Sequence, residues 1–246
     1  MKKILFALVL CCLKTWISCE NTETYLTSSH SQVHRAISKH RKVRYQKGFN
    51  TPKTYKLGQY APQIGGVVIY LTDDKQHGLV AAIENAFFPS FDGQPTAQWS
   101  TLTATTNATS DSQLPPTYTT SPYKLNYSGG KNQDAIEKIS NYKNLYPAFS
   151  QAATWQENQK ATRVRIFKDW FLPGIPELRQ MFDFKDIIDA AAEKSGVPIT
   201  YRLENNSFWS SQQTSETQAK AKNFENGAEG GNTKTTLLYV RYVRAF

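Results

Sequence analysis

Cysteine is scarce in this 246-residue chain, and its placement is informative. Cys11, Cys12 and Cys19 all lie near the start, and no cysteine follows them. The rest of the chain therefore has no disulfide, so core packing alone must stabilise its fold. It also has no cysteine that could act as a nucleophile or as a metal ligand.

Histidine is scarce as well, which narrows the chemistry open to the chain. Three of the four histidines precede residue 57, and only His77 follows. We interpret His77 as a turn residue rather than a ligand, because no set of histidines or carboxylates at metal spacing surrounds it. A glycine-rich phosphate loop is also missing. We therefore predict no enzyme activity and no cofactor. A hydrolase using Ser210 or Ser211 is the alternative, although neither serine has a recognisable histidine partner.

The chain has no apolar run long enough to cross a bilayer. The run from Ile4 to Leu13 has ten residues, whereas a transmembrane helix needs about 20. Two lysines precede this run, so we predict that residues 1–19 are an export leader. Trp16-Ile17-Ser18-Cys19 resembles a lipobox, which predicts lipid attachment at Cys19; conventional cleavage nearby is the alternative. The expected location is the cell envelope, as an outer-membrane lipoprotein or at the cell surface.

Acidic residues are absent from a long stretch that follows the leader. Between Tyr25 and Lys56 there are eight basic residues and no acid, whereas residues 57–246 hold 18 basic and 18 acidic residues. The net charge of +9 therefore belongs to the start of the chain. We call residues 20–57 the tether and expect it to be extended and mostly unfolded, because few of its residues could seed a core.

The tether is the strongest candidate site in the sequence. One interpretation is a solvated linker that holds a lipoprotein off its membrane. The sharper one is a polyanion-binding segment, because clustered cations attract polyanions. Its ligands would be sulfated or otherwise anionic glycans or an anionic membrane surface, and nucleic acid is not expected because the leader exports the chain. The residues we assign to this site are Arg35, Lys39, Arg41, Lys42 and Arg44.

The remainder, residues 58–246, is predicted to be one folded body that begins with a β-hairpin. Gly65 and Gly66 precede the β-branched run from Val67 to Leu71, which predicts a strand. Residues 73–75 predict a turn, and the run from His77 to Ile83 predicts the second strand. Residues 92–127 are rich in Thr, Ser and Pro and predict a long loop or insertion with little helix or strand.

The segment from Lys168 to Leu178 is predicted to organise this body. Its Trp-Phe-Leu run at 170–172 should form an apolar plug. Gly174 should be an N-cap, with Glu177 reaching back to it from the first turn of a helix. Apolar spacing predicts further helices around Ile136, from residue 147 onward, and from Phe184 to Lys194, where Gly196 should end the last one.

The last third is predicted to return to β-structure. We expect strands at 207–211 and 219–224, a glycine-rich turn at 227–231, and one long final strand at 237–246. A chain that ends in a strand suggests that this strand is tied into the sheet.

Several of these segments, taken in order, resemble a known family: the C-terminal domain of the Legionella collagen-like adhesin, a C-type-lectin-like bacterial domain. They are Gly65-Gly66-Val67-Val68-Ile69-Tyr70, His77-Gly78-Leu79-Val80-Ala81-Ala82, Asp169-Trp170-Phe171-Leu172-Pro173, Glu177-Leu178, Phe208-Trp209-Ser210-Ser211 and Val240-Arg241-Tyr242-Val243-Arg244-Ala245-Phe246.

The resemblance implies an α+β, C-type-lectin-like fold with a mixed, mainly antiparallel sheet and two or more flanking helices. For some members it also implies adhesion to sulfated polysaccharides. Collagen-like repeats are missing here, which puts trimerisation in doubt, although an oligomer is open. Trp170 and Trp209 should be core aromatics rather than sugar platforms. The expected function is adhesin-like binding of polyanionic glycans or of host or matrix surfaces; the alternative is a structural envelope lipoprotein whose domain binds a protein partner.

Overall fold

The computed structural model describes residues 53–86, 88, 95–117, 123–153, 167, 169–203 and 206–246. These residues contain two five-stranded sheets and five α-helices, so the α+β class is confirmed. Neighbouring strands run antiparallel except for one parallel pair. The mixed, mainly antiparallel pairing that we expected is therefore present.

The first sheet joins the predicted hairpin to the end of the chain. Its strands are β1 (Tyr60–Ala61), β2 (Gly66–Leu71), β3 (Gly78–Ala81), β5 (Trp170–Phe171) and β10 (Val243–Ala245). Their order in the sheet is β1-β2-β3-β10-β5. The hairpin and the tied-in final strand are both confirmed, because β2 pairs with β3 and β10 lies between β3 and β5.

The apolar run of β2 is explained by burial on both faces of this sheet. Val68 belongs to one core cluster, and Val67 and Ile69 belong to the other. A strand that is covered on both faces is apolar throughout rather than alternating. The Trp-Phe-Leu run at 170–172 is likewise buried on both faces of the sheet, because Trp170 packs in the first cluster and Phe171 in the second.

The second sheet contains the strands of the last third and one from the predicted insertion. Its strands are β4 (Thr96–Gln98), β6 (Ser207–Gln213), β7 (Gln218–Asn223), β8 (Glu229–Thr233) and β9 (Leu237–Tyr239). Their order in the sheet is β4-β9-β6-β7-β8, and β6 and β9 form the parallel pair. Two strands, β6 and β7, lie where the sequence predicted them.

The predicted insertion at 92–127 has little helix or strand in its described part, but it packs into the core. β4 lies within it, and Trp99 is fully buried. The indole of Trp99 donates to the Ser210 carbonyl at 2.9 Å, and that of Trp209 donates to the Ala97 carbonyl at 2.8 Å. The segment is part of the core because its few apolar residues, rather than its average composition, decide its burial.

Two predictions for the last third also need correction. The glycine-rich segment is not only a turn: Gly227 has a positive φ of 77°, but Gly230 and Gly231 lie in β8, an exposed edge strand. The single final strand is in fact two strands in different sheets, β9 and β10. The chain crosses between the sheets at residues 240–242, where Arg241 is fully buried and donates to the Ala82 carbonyl at 2.7 Å.

The described residues contain the helices α1 (Ser128–Glu137), α2 (Tyr142–Leu145), α3 (Pro147–Ser150), α4 (Ile175–Asp183) and α5 (Lys185–Lys194). Four of the five lie in segments that were predicted to be helical, whereas α2 was not predicted. Gly196, with φ 73°, follows α5. The helices α4 and α5 pack against the first sheet through residues that include Leu178, Met181 and Ile188. Ile188 is fully buried, whereas its neighbour Ile187 is 44% exposed.

Glu177 is the fully buried link between the N-termini of α1 and α4. Gly174 is the N-cap of α4, as predicted, and Glu177 lies in the first turn. Its Oε1 accepts from the Gly129 N–H of α1 at 3.3 Å. Burial raises the pKa of the Glu177 carboxyl to about 7, although N–H groups that include those of Gly129, Gly174 and Ser128 act to lower it. One carboxyl group therefore joins two helix N-termini, where a negative charge is favoured but poorly solvated.

Candidate functional site

An open groove lies where the end of β10 meets the turn between β2 and β3. Its volume is about 570 Å³, within the usual range of ligand pockets of roughly 300–1,000 Å³. Backbone hydrogen bonds between Gly78 and Phe246, at 3.1 and 3.2 Å, hold these two segments together. The groove is therefore built on the first sheet.

One wall of the groove is an arginine and carboxylate pair. Arg244, in β10, donates from Nε to Asp169 Oδ1 at 2.5 Å and from Nη1 to the Ile64 carbonyl at 3.1 Å. Its guanidinium lies 4.2 Å above the ring centroid of Phe167. An arginine in a central strand must find partners for its charge. These three contacts fix its planar head at the groove surface.

The opposite wall is built from the turn between β2 and β3. Asp74 Oδ1 accepts from the Gln76 N–H at 2.8 Å and from the Thr72 hydroxyl at 2.7 Å, and Oδ2 lies 2.5 Å from His77 Nδ1. Desolvation by itself would raise the pKa of the Asp74 carboxyl, but these hydrogen bonds hold that pKa well below its usual value. The His77 ring tilts against Tyr123, with centroids 5.9 Å apart. Asp74 thus fixes His77, as expected for a turn residue.

The third part of the lining shows where the folded body begins. Tyr55 is buried, donates its N–H to the Lys75 carbonyl at 2.8 Å, and meets Phe246 edge-on with centroids 5.0 Å apart. The body therefore begins no later than Tyr55, earlier than the predicted Gly58. The end of the predicted tether is part of the groove.

The groove can hold a ligand by stacking and hydrogen bonding. Its surface combines aromatic rings with the amide groups of Gln63 and Gln76. Its one arginine, Arg244, is paired with Asp169, so this charged pair is balanced within itself. This is the chemistry of a binding pocket with a few polar groups that orient the ligand.

The two serines of the hydrolase alternative lie elsewhere, in β6. Both are fully buried. Ser210 Oγ accepts from the Gln212 N–H at 3.1 Å, and Ser211 Oγ accepts from Asn132 Nδ2 at 3.0 Å. His77, the one histidine in the described part of the chain, lies in the groove. The serines therefore have structural partners in place of a general base.

A buried lysine is a third polar centre. Lys234 is 1% exposed and donates to the Ala104 carbonyl at 2.7 Å and to Gln213 Oε1 at 2.8 Å. Its ammonium also lies 4.8 Å from the ring centroid of Trp99. Desolvation lowers its pKa to about 8. Lys234 ties the described part of the insertion to the second sheet, which is a structural role.

The site residues predicted from the sequence lie outside the described residues. These are the lipid-attachment residue Cys19 and the polyanion-binding residues Arg35, Lys39, Arg41, Lys42 and Arg44. The groove was missed because its lining comes from widely separated segments. Arg244 was the one available signal, since a charged residue among the apolar residues of a final strand requires partners. Both Trp170 and Trp209 are core residues, as predicted.

The described residues offer neither a metal site nor a membrane-spanning helix. They contain no group of three or more His, Cys, Asp or Glu side chains placed to hold a metal ion. None of their helices has the length and apolar character needed to span a bilayer. No protein-family model matches the chain, and no curated protein matches it.

Proposed function

We propose that this protein is exported, is anchored by a lipid on Cys19, and binds anionic glycans or other anionic surfaces in an adhesin-like role. The observation that carries the proposal is the separation of charge along the chain. Between Tyr25 and Lys56 the tether has eight cations and no acid, whereas the basic and acidic residues of 57–246 are equal in number. A field that attracts polyanions needs an excess of one sign in one place, which the tether provides.

The ion pairs of the body support the assignment of polyanion binding to the tether. Many of its cations already have carboxylate partners, as in the pairs Arg179–Glu229 at 2.7 Å, Lys220–Asp111 at 3.0 Å and Lys124–Glu137 at 3.0 Å. A cation that is paired with an acid contributes little to a long-range positive field. The body would then act as the folded domain that the tether presents at the surface.

For the body we propose a C-type-lectin-like domain. Two features support this fold: α4 and α5 pack against the first sheet, and the final strand β10 pairs beside the N-terminal hairpin. The groove supports a binding role for this domain, for which we propose neither an enzymatic activity nor a cofactor.

The anchor and the ligand can be tested on the same full chain. Wild type and Cys19→Ala are expressed in a diderm bacterium, and membranes are washed with high salt and then extracted with detergent. Wild type should need detergent, while Cys19→Ala should be released. The purified protein should also bind heparin at low salt. A chain that needs no detergent, or that binds no polyanion at low salt, would contradict the proposal.

One observation favours the alternative of an envelope protein with a protein partner. Leu57 and Ile187 are 54% and 44% exposed, and a Cβ atom added at Gly58 would lie 3.0 Å from Ile187. Exposed aliphatic side chains on two chain segments that touch each other suit a protein contact. Crosslinking in intact cells that depends on Leu57 and Ile187, together with no binding to any polyanion, would favour this function.

A further inference from the structure

The groove offers polar atoms that the fold itself leaves unused. Asp169 is held through Oδ1 alone, and Arg244 through Nε and Nη1. Asp169 Oδ2, Arg244 Nη2 and the amide of Gln63 make no hydrogen bond within the described part of the chain. The side chain of Asp169 is 49% exposed and that of Arg244 15%. Donors and acceptors are therefore available at the groove surface.

These polar atoms lie in the same groove as one well-exposed aromatic ring and three less exposed ones. Tyr123 is 48% exposed and reaches the groove from the 3-10 helix at Tyr123–Asn126. Phe167 lines the groove below the Arg244 guanidinium, and Tyr55 and Phe246 line it together. An apolar ring face next to paired donors and acceptors matches a ligand that has both C–H faces and hydroxyl groups.

The charge of the groove disfavours anionic ligands of the kind proposed for the tether. The one arginine that lines it is already neutralised by Asp169 at 2.5 Å. A sulfate or phosphate placed there would compete with that carboxylate and would be repelled by it. An uncharged ligand meets no such penalty, and its hydroxyl groups can both donate to Asp169 Oδ2 and accept from Arg244 Nη2.

We infer that this groove binds the ring of an uncharged saccharide, as a site separate from the polyanion-binding tether. One ring face packs on Tyr123, and neighbouring hydroxyl groups bond to Asp169, Arg244 and Gln63. A volume of about 570 Å³ and an open mouth suit a sugar at the end of a longer chain. The inference rests on the groove alone and stands or falls independently of the tether.

The test uses the full mature chain and two kinds of probe. The neutral probes are the methyl glycosides of glucose, galactose and mannose, together with N-acetylglucosamine, cellobiose and lactose; the anionic probe is heparin. Saturation-transfer NMR detects binding, and titration at 0.05 and 0.5 M NaCl measures affinity. At least one neutral saccharide should bind, and its affinity should change less than about twofold with salt, because no counterion is released.

Two groove variants and one matched control locate the site. Tyr123→Ala should weaken saccharide binding by roughly three- to tenfold through lost stacking, and Gln63→Ala should weaken it through a lost hydrogen bond. Leu237→Ala, at 49% exposure but outside the groove, should leave it unchanged. Circular dichroism establishes that each variant is folded.

The outcomes separate this inference from the proposed function. If no neutral probe binds, or if binding is unchanged in both groove variants, the inference is wrong, whatever heparin does. If saccharide binding falls with salt as steeply as heparin binding does, the groove is not a neutral site and the inference is wrong as well. Retained saccharide binding with no heparin binding would support the groove and contradict the role of the tether.

Discussion

At the scale of the residue, Glu177 shows how far local sequence rules reach. Its position three residues after Gly174 predicted the first turn of a helix and a carboxylate that reaches back. Its complete burial and its contact with Gly129 were not predictable, because Gly129 is 48 residues away in the chain. Pairing distant segments depends on the tertiary fold, whereas caps depend on spacing alone.

The raised pKa of Glu177 predicts a pH-dependent stability. In the folded protein this carboxyl holds its proton up to about pH 7, and in the unfolded chain it loses it near its ordinary value of 4.5. The folded state therefore binds more protons between these values, so this group makes the free energy of unfolding fall as pH rises from 4.5 to 7. A shift of this size corresponds to on the order of 3 kcal/mol.

Glu177→Gln should remove this dependence. Urea unfolding at pH 5 and pH 8 measures the unfolding free energies of the variant and of wild type. The variant should be more stable relative to wild type at pH 8 than it is at pH 5. The control is Glu229→Gln, because ion pairing with Arg179 lowers the pKa of Glu229 and its effect should be the same at both pH values. A difference for Glu177→Gln that does not change with pH would contradict the prediction.

At the scale of the element, the sequence predicted those segments whose burial matches their composition. The β2–β3 hairpin and the helices α4 and α5 have apolar residues at the spacing of their buried faces. β8 was missed because its exposed residues, Glu-Gly-Gly-Asn-Thr, resemble a turn. The break between β9 and β10 was missed because Val240 and Tyr242 continue the alternation while the chain passes from one sheet to the other.

Two glycines in strands, Gly66 and Gly230, allow a test of close backbone packing. A Cβ atom added at Gly66, in β2, would lie 1.9 Å from the Ala81 carbonyl oxygen, whereas one at Gly230, in β8, meets nothing within 4 Å. Gly66→Ala must therefore push β2 and β3 apart. We expect it to destabilise the fold by about 3 kcal/mol or more, in the range of severe core substitutions.

Gly230→Ala is the matched control for this substitution, since both exchanges add one methyl group to a strand. It should change the unfolding free energy by less than about 1 kcal/mol. Thermal unfolding followed by circular dichroism measures both variants. Equal melting temperatures for Gly66→Ala and wild type would show that the hairpin does not pack as described.

At the scale of the whole molecule, the excess of basic residues and the described fold belong to different parts of the chain. The body is stabilised by two core clusters and carries the groove, where Asp169 neutralises the one lining arginine, while the tether carries most of the net charge. Salt should therefore act on the two parts differently. Binding through the tether should fall with salt because released counterions would drive it, whereas binding in the groove should not.

This division leads to an ordered prediction for tether variants. The exchange of Arg41, Lys42 and Arg44 for Ala should weaken heparin binding more than the exchange of Lys53 and Lys56, because attraction sums over neighbouring charges. Lys53 is also less available, since its ammonium lies 5.5 Å from the centroid of the Tyr55 ring. Losing three cations should reduce the slope of log affinity against log salt by about 2 to 3.

Affinity measured between 0.05 and 0.3 M NaCl tests this order on the full mature chain. Wild type should lose most of its binding by about 0.3 M, where the screening length is shorter than the tether cluster. The triple variant should begin weaker and fall less steeply, and Lys53→Ala with Lys56→Ala should lie between it and wild type. If the triple variant keeps the wild-type slope, the polyanion is bound by another part of the chain, and the tether is only a spacer.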